Sequence, residues 1–335
     1  MPIGVVTPTY NGGAHLGETI VSVQRQTERP VVHLVVDDGS ADASADIVAA
    51  AAVADPRVRL VRQTNAGLSQ ARNRGLAELP ADVDLVLFLD DDDRLRPGAL
   101  EQLRRALETT PSAPAAHGRV AGIDAAGAPV PLVRSEAAAR RTVSDPRRWW
   151  SSRRAVRTLA DNEPSGLDSL GYVLFIYSVG QVLLRRRVVE DEGGFDPRLA
   201  VAQDLDLWLR VAARSPLAFV PEVVLDYRQA GPSLSSDQSR TRREDLYVRA
   251  KLIADASQPS HVRRLTRDLH RHHEWHRAAD RVESAIVAAR RRDVRAAVHE
   301  TARAGRSVGE ALLAIPPCDA PSRRRVARFG AGLGR

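Results

Sequence analysis

The chain has 335 residues, 43% of them apolar and 27% charged, the makeup of a globular protein with room for one large α/β domain and an appendage, or for two modest domains. A single cysteine, Cys318, excludes an internal disulfide and a cysteine-based metal cluster, and fits a reducing compartment. The formal charge of +7 is uneven: residues 1–239 carry 27 Arg against 31 acidic residues, a net −4, whereas residues 240–335 carry 22 basic and 11 acidic residues, a net +11.

The opening Met1-Pro2-Ile3-Gly4-Val5-Val6 has no basic leader of the signal-peptide kind and goes directly into a strand over Ile3 to Thr7. A turn at Asn11-Gly12-Gly13 follows, then a helix with Leu16, Ile20 and Val23 on one face. Val31 to Val36 is a second apolar strand, stopping at Asp37-Asp38-Gly39-Ser40. Ser40 is placed to cap a helix with Asp42 in its first turn, running to about Ala54. Val58 to Val61 is a third strand, and a helix containing Ala71, Leu76 and Ala77 comes after it. Leu85 to Leu89 is a continuous apolar run that reads as a strand buried on both faces and ends in Asp90-Asp91-Asp92-Asp93. Repeated strand–helix–strand units predict an α/β fold with a Rossmann-like, mainly parallel sheet and helices on both faces.

From about Ser112 to Ser169 the signals weaken, and strand fragments in a mobile excursion are expected around the landmark Trp149-Trp150. Val179 to Leu184 reads as a strand, Gly193-Gly194-Phe195-Asp196-Pro197 as a turn, Leu205 to Ala213 as a helix and Val223 to Tyr227 as a last short strand. The stretch Leu170 to Leu184 is too short for a ~20-residue membrane span. Beyond about residue 240 a helical stripe runs through Leu265, Leu269, His272, His276, Ala279, Val282 and Ile286, and the end from Pro316 looks flexible and basic. The expected division is therefore a catalytic domain over 1–239 and a basic, mainly helical region over 240–335.

Four adjacent carboxylates repel one another unless some protonate or a cation neutralises them. Along extended backbone Asp90 and Asp92 point to the same side, an arrangement that suits a hard divalent ion such as Mg²⁺ or Mn²⁺. An acidic cap for a helix starting near Pro97 would account for one or two of the four. Parallel strands bring their carboxyl ends to one edge, so Pro8-Thr9-Tyr10-Asn11, Asp38-Gly39, Asn65-Ala66-Gly67 and the acidic run should line a single crevice. An aromatic ring, a base-edge acceptor and an acidic metal site together describe a nucleotide-diphosphate pocket, although Asp38-Gly39 alone reads equally well as an Asx turn. Neither the Gly-x-Gly-x-x-Gly fingerprint nor the phosphate-loop Gly-x-x-x-x-Gly-Lys-Ser/Thr pattern is present, so the metal would have to neutralise a pyrophosphate.

These segments resemble glycosyltransferase family 2, the inverting, nucleotide-sugar-dependent enzymes with the GT-A fold. The resemblance rests on Val5-Val6-Thr7-Pro8-Thr9-Tyr10-Asn11, Val35-Val36-Asp37-Asp38-Gly39-Ser40, Asn65 to Gly75, and Phe88-Leu89-Asp90-Asp91-Asp92-Asp93. It continues with Gly193-Gly194-Phe195-Asp196 and Gln203-Asp204-Leu205-Asp206-Leu207-Trp208-Leu209-Arg210, in the family's order over roughly residues 3–228. It implies that Pro8, Tyr10 and Asp38 hold the nucleobase and ribose, with Arg72 and Asp91 in the donor pocket, and that Asp90 and Asp92 form the Asp-x-Asp metal element. It also implies that Asp204 accepts the proton from the acceptor hydroxyl; Asp204 and Asp206 could otherwise simply cap their helix. Two departures stand out. Gln203 replaces a Glu common in relatives, and Ala230 stands where a histidine is common, leaving Arg228 as the candidate phosphate clamp.

The expected protein is thus a metal-dependent inverting glycosyltransferase, with UDP or dTDP sugars favoured as donors and a hydroxyl acceptor on a lipid-linked or other glycan. It is expected in the cytoplasm, with peripheral membrane contact through the basic tail as one role for that region. A sugar nucleotidyltransferase and a non-catalytic nucleotide-sugar-binding scaffold are the alternatives. His270, His272, His273 and His276 are read as packing rather than a metal site, and no nucleic-acid partner is expected, because the tail has few aromatics to stack on bases.

Overall fold

A computed structural model of the chain describes residues 1–132, 176–229, 237–260 and 293–313, together with scattered positions between 262 and 289. The described residues fall into two compact units, one up to residue 241 and one from 242 onward.

The first unit alternates strands and helices as the apolar pattern predicts. Ile3–Thr9 (β1), Leu16–Gln24 (α1), Val32–Asp37 (β2), Ser44–Ala54 (α2), Val58–Arg62 (β3), Leu68–Glu78 (α3) and Leu85–Phe88 (β4) follow in order. Then come Arg94–Leu95 (β5), Ala99–Thr109 (α4), Ala115–Ile123 (β6) and Pro129–Val130 (β7). Past residue 175 the chain resumes with a 3₁₀ turn at Val179–Gln181, Val182–Arg185 (β8), Arg186–Asp191 (α5), Gln203–Arg214 (α6) and Ala218–Arg228 (β9).

One sheet runs in the order β3-β2-β1-β4-β8-β6-β9-β5, with β7 on β6. Its first four strands are parallel, β8 enters antiparallel between β4 and β6, and β6 and β9 run parallel to each other. Alternation along β1 sends successive side chains to opposite faces. Val5 joins Leu85, Leu87, Leu100, Leu103 and Leu107 in a core under α4. On β1 Val6 and on β2 Val36 face α3, where Gly75 sits so close that a β-carbon would lie 2.3 Å from Val6 Cγ1. A glycine at that turn of α3 is what lets the helix lie against the parallel strands.

Three elements differ from expectation. The α2 helix begins at Ser44, not at Ser40. Asp42 takes the Ser44 backbone N–H and hydroxyl and the Gly13 N–H, while Ser40 Oγ accepts the Asn11 N–H. The polar turn is thus spent on tying two loops together. Val179–Gln181 is a tight turn because Ser178 and Gln181 form a reciprocal capping box. The last strand is much longer than Val223–Tyr227, since β9 pairs along β6 and with β5.

The second unit is helical. Gln238–Ala254 (α7) leads into it, with Tyr247, Val248, Leu252 and Ile253 buried, and Val294–Leu313 (α8) is its last described helix. Of the long stripe, only Val282 and Ile286 are described, and both are about half exposed; Leu265, Leu269, His272, His276 and Ala279 lie outside the described residues, as do Trp149, Trp150 and Ala230. Among the described residues no helix is long and apolar enough to cross a membrane.

Candidate active site

The carboxyl ends of β1, β2 and β4 lie along one edge, with Thr9 opposite Asp37 and Val6 opposite Phe88 in register. The loops that leave them are laced together. Asn11, in left-handed conformation at φ 54°, accepts the Ala41 N–H through its side chain. Pro8 is buried within β1, whereas Tyr10 just beyond it is 56% exposed. Asp38 is nearly buried and turns toward the chain itself: Oδ1 accepts from Gln63 Nε2 and Ala66 N, Oδ2 from Gly67 N. A carboxylate accommodates about four donors, and three are supplied to Asp38 among the described residues.

The four aspartates that look alike in sequence have four different surroundings. Asp90 is partly exposed and binds Arg72, Nη2 to Oδ1 at 2.5 Å. Asp91 points back under β1, accepting from Thr9 Oγ1 at 2.5 Å, and burial pushes its carboxyl up to about 6. The packing is close, since a β-carbon on Gly12 would sit 1.9 Å from Asp91 Oδ2, so Asp91 braces the loop that leaves β1. Asp93 is fully buried between Ser178 Oγ at 2.6 Å and the Arg228 backbone N–H at 2.9 Å, and burial with the neighbouring charges raises its carboxyl well above the usual range. Asp92 accepts only its own backbone N–H among the described residues, and burial plus the charges of Asp90 and Asp91 push it up to about 7.

Among the described residues no group of three or more His, Cys, Asp or Glu side chains is gathered for a metal. Two carboxylates nonetheless match how Mg²⁺ is held when substrate phosphates complete its shell. The unshared, destabilised Asp92 carboxylate and the adjacent Asp90 fit such an ion.

Arg72 is the least expected side chain in charge terms. Its guanidinium is almost wholly buried, lies 5.1 Å above the Phe195 ring, and leaves Nε and Nη1 without a partner among the described residues. Unpaired buried donors cost ~1–3 kcal/mol each, so they mark a place for an anionic or polar ligand. Arg228 is the reverse case. Nε binds Asp92 O, Nη1 binds Asp124 O and Ala125 O, and Nη2 binds Glu18, so this guanidinium, expected as a phosphate clamp, is a fully buried staple of the acidic loop.

Asp204 and Asp206 separate cleanly. Asp206 is buried in an ion pair with Arg210 on the next turn of α6. Asp204, at the start of α6, accepts the Leu205 N–H and its own, and burial raises its carboxyl while the charge of Arg72 lowers it and that of Asp90 raises it. Asp204 therefore lies within electrostatic reach of Arg72 and Asp90, over 110 residues away in sequence. Beside it, Gln203 Oε1 is buried without a donor among the described residues.

The family model for Glycosyl transferase family 2 matches residues 4–193, more than half of the chain. The chain belongs to glycosyl transferase family 2. This family 2 protein is an enzyme that transfers glycosyl groups, and its sheet is the GT-A sheet with flanking helices. It is 31% identical over 275 residues to the uncharacterized protein MT1568 of Mycobacterium tuberculosis, covering 78% of each chain. It is 36% identical over 105 residues to glycosyltransferase GlyA of Streptococcus pneumoniae, where the match spans 31% of this chain and 15% of that one. In fold it resembles residues 1–349 of Staphylococcus aureus TarS, solved in complex with UDP-GlcNAc, with a TM-score of 0.63, 16% identity and coverage of 90% and 91%.

Several contributors carry no sequence signal. Ser178, 85 residues from Asp93, and Glu18 on α1 are anonymous in sequence and matter only through contacts made by the folded sheet. Asn73 could be read from the Asn73-Arg74-Gly75 segment of the family pattern, but its partner, the Phe195 backbone, could not.

Proposed function

We propose that this protein is a metal-dependent, inverting glycosyltransferase that takes a UDP or dTDP sugar and transfers the sugar to a hydroxyl acceptor. What supports the reading is that Asp90 links the group: it pairs with Arg72, whose Nε and Nη1 have no partner among the described residues, and its charge acts on both Asp92 and Asp204. The TarS complex with UDP-GlcNAc lends support for the donor class.

In this reading Tyr10 and Pro8 flank the base, and the remaining acceptor direction of Asp38 takes its imide N–H. Arg72 offers Nε and Nη1 to the donor's phosphate or sugar oxygens. Asp90 and Asp92 would hold a divalent cation, which when bound neutralises charge on the leaving diphosphate. Asp204 takes the proton from the attacking hydroxyl; its burial makes it a stronger base than a solvated aspartate. Direct attack from the face opposite the leaving group inverts the anomeric centre. The enzyme would work on the cytoplasmic side, and domains over 1–239 and 240–335 remain the division we propose.

A panel of nucleotide sugars with Mn²⁺, scored for donor hydrolysis and for binding by calorimetry, tests this. Asp204→Asn should lower transfer by about 10²-fold or more while nucleotide still binds. Nucleotide binding without turnover on any donor would favour a non-catalytic scaffold.

A further inference from the structure

Two tyrosines stand beside the acidic crevice and have no part in the donor chemistry above. Tyr177 immediately precedes Ser178, whose hydroxyl reaches Asp93 and lies 3.5 Å from Asp90 Oδ2. Tyr227 immediately precedes Arg228, whose backbone N–H binds Asp93. The two rings face each other at 6.2 Å between centroids, inclined at 47°, and both are partly exposed.

Their positions are fixed from behind. The Tyr177 N–H donates to Gln181 Oε1, and Gln181 Nε2 in turn donates to Gly118 O on β6. On β9, Asp226 beside Tyr227 is buried against Arg94 and Arg96, so alternation turns Tyr227 to the opposite face. Burial and the charges of Asp93, Asp90, Asp92 and Asp204 push the Tyr227 hydroxyl up to about 12, so this ring lies within the field of the proposed base as well as of the metal carboxylates.

The chemistry of this wall selects its ligand. A pyranose has a C–H-lined face that packs on the electron-rich face of an aromatic ring, and hydroxyls at its rim that donate to carboxylates. A phosphate or other anion is disfavoured at the same spot. Even with one divalent cation bound and Arg72 counted, the charges of Asp90, Asp92, Asp204 and a donor pyrophosphate leave the site negative.

We propose that Tyr177 and Tyr227 form the platform on which the acceptor's terminal sugar ring stacks, so that the acceptor is a glycan with its attacking hydroxyl turned toward Asp204. This rests on the glycosyltransferase reading above and assigns its acceptor class. No covalent chemistry beyond that transfer is involved: the hydroxyl oxygen bonds to the anomeric carbon, the bond to the diphosphate breaks, and the proton goes to Asp204.

The test uses the full chain with Mn²⁺ and whichever nucleotide sugar it hydrolyses fastest. Methyl and p-nitrophenyl glycosides of glucose, galactose and N-acetylglucosamine are added as acceptors, with nucleotide release and disaccharide mass as readouts. At least one glycoside should accelerate nucleotide release and yield the mass of the disaccharide. Tyr177→Ala and Tyr227→Ala should each raise the KM for that glycoside about fivefold and lower the ratio of sugar transferred to donor hydrolysed, while Tyr177→Phe and Tyr227→Phe stay within about twofold of wild type. Donor hydrolysis with no glycoside product, or alanine variants with an unchanged glycoside KM, overturns the platform while leaving the donor chemistry standing. Absence of any nucleotide-sugar hydrolysis or binding removes the underlying reading, and the platform with it.

Discussion

Asn73 holds the turn that delivers α6, and with it Asp204, to the crevice. Its side-chain amide makes two hydrogen bonds to one residue: Nδ2 donates to Phe195 O and Oδ1 accepts from Phe195 N, both at 2.8 Å. The turn is gripped from the other side by Arg210, which donates to Glu192 O and Gly194 O. Gly193 and Gly194 reach the left-handed region at φ 75° and 71°, and a β-carbon on Gly194 would lie 2.4 Å from Asn73 Oδ1. Asn73→Ala removes two hydrogen bonds and leaves a backbone donor and acceptor unpaired, which should cost ~2–4 kcal/mol. Gly194→Ala should cost ~1–2 kcal/mol for the left-handed backbone and ~1–3 kcal/mol more for the collision with Asn73. In the double variant the collision is gone, because the shortened side chain at position 73 no longer reaches the new methyl group, so the two costs should fail to add by ~1 kcal/mol or more. Urea unfolding read by hydrogen exchange of peptides from β1 and β4 follows the catalytic unit alone. Additivity within ~0.5 kcal/mol would refute the claim that this amide and this glycine meet.

Three other outcomes are expected. His33 on β2 is buried 2.9 Å from Thr7 Oγ1, and burial, with Asp55 opposing and Arg57 adding, pushes it down to about 3. The unfolded chain binds this proton below about 6.5 and the folded chain does not, so stability relative to His33→Asn should fall by ~1.4 kcal/mol per pH unit between pH 6 and 4; a flat difference counts against a buried neutral imidazole. Asp92→Asn should remove the Mn²⁺ dependence of nucleotide binding in calorimetry, whereas a variant with unaltered cation dependence would show that Asp92 is not a ligand. Arg228→Met leaves three backbone carbonyls without their donor, while Glu18 keeps Arg94, and a loss of ~2–4 kcal/mol is expected in the same exchange assay; a loss under ~1 kcal/mol would mean the staple is dispensable.

The order of strands and helices from Ile3 to Phe88 was legible because each element has its own apolar period and its own turn residues, all of them local properties. So was the edge at which β1, β2 and β4 end, since parallel strands bring their carboxyl ends together. What residue order could not distinguish was the work of each aspartate in Asp90–Asp93. The run is a turn closed by the Asp93 N–H on Asp90 O rather than the extended segment expected, and the partners that define its acids, Thr9, Arg72, Ser178 and Arg228, come from four distant segments. The same holds for Asp204 and Asp206, similar in sequence and different in surroundings once Arg210 pairs with one and the charges of Arg72 and Asp90 act on the other. A carboxylate's chemistry depends on the charges and donors within a few ångströms of it, and only the folded sheet decides which those are.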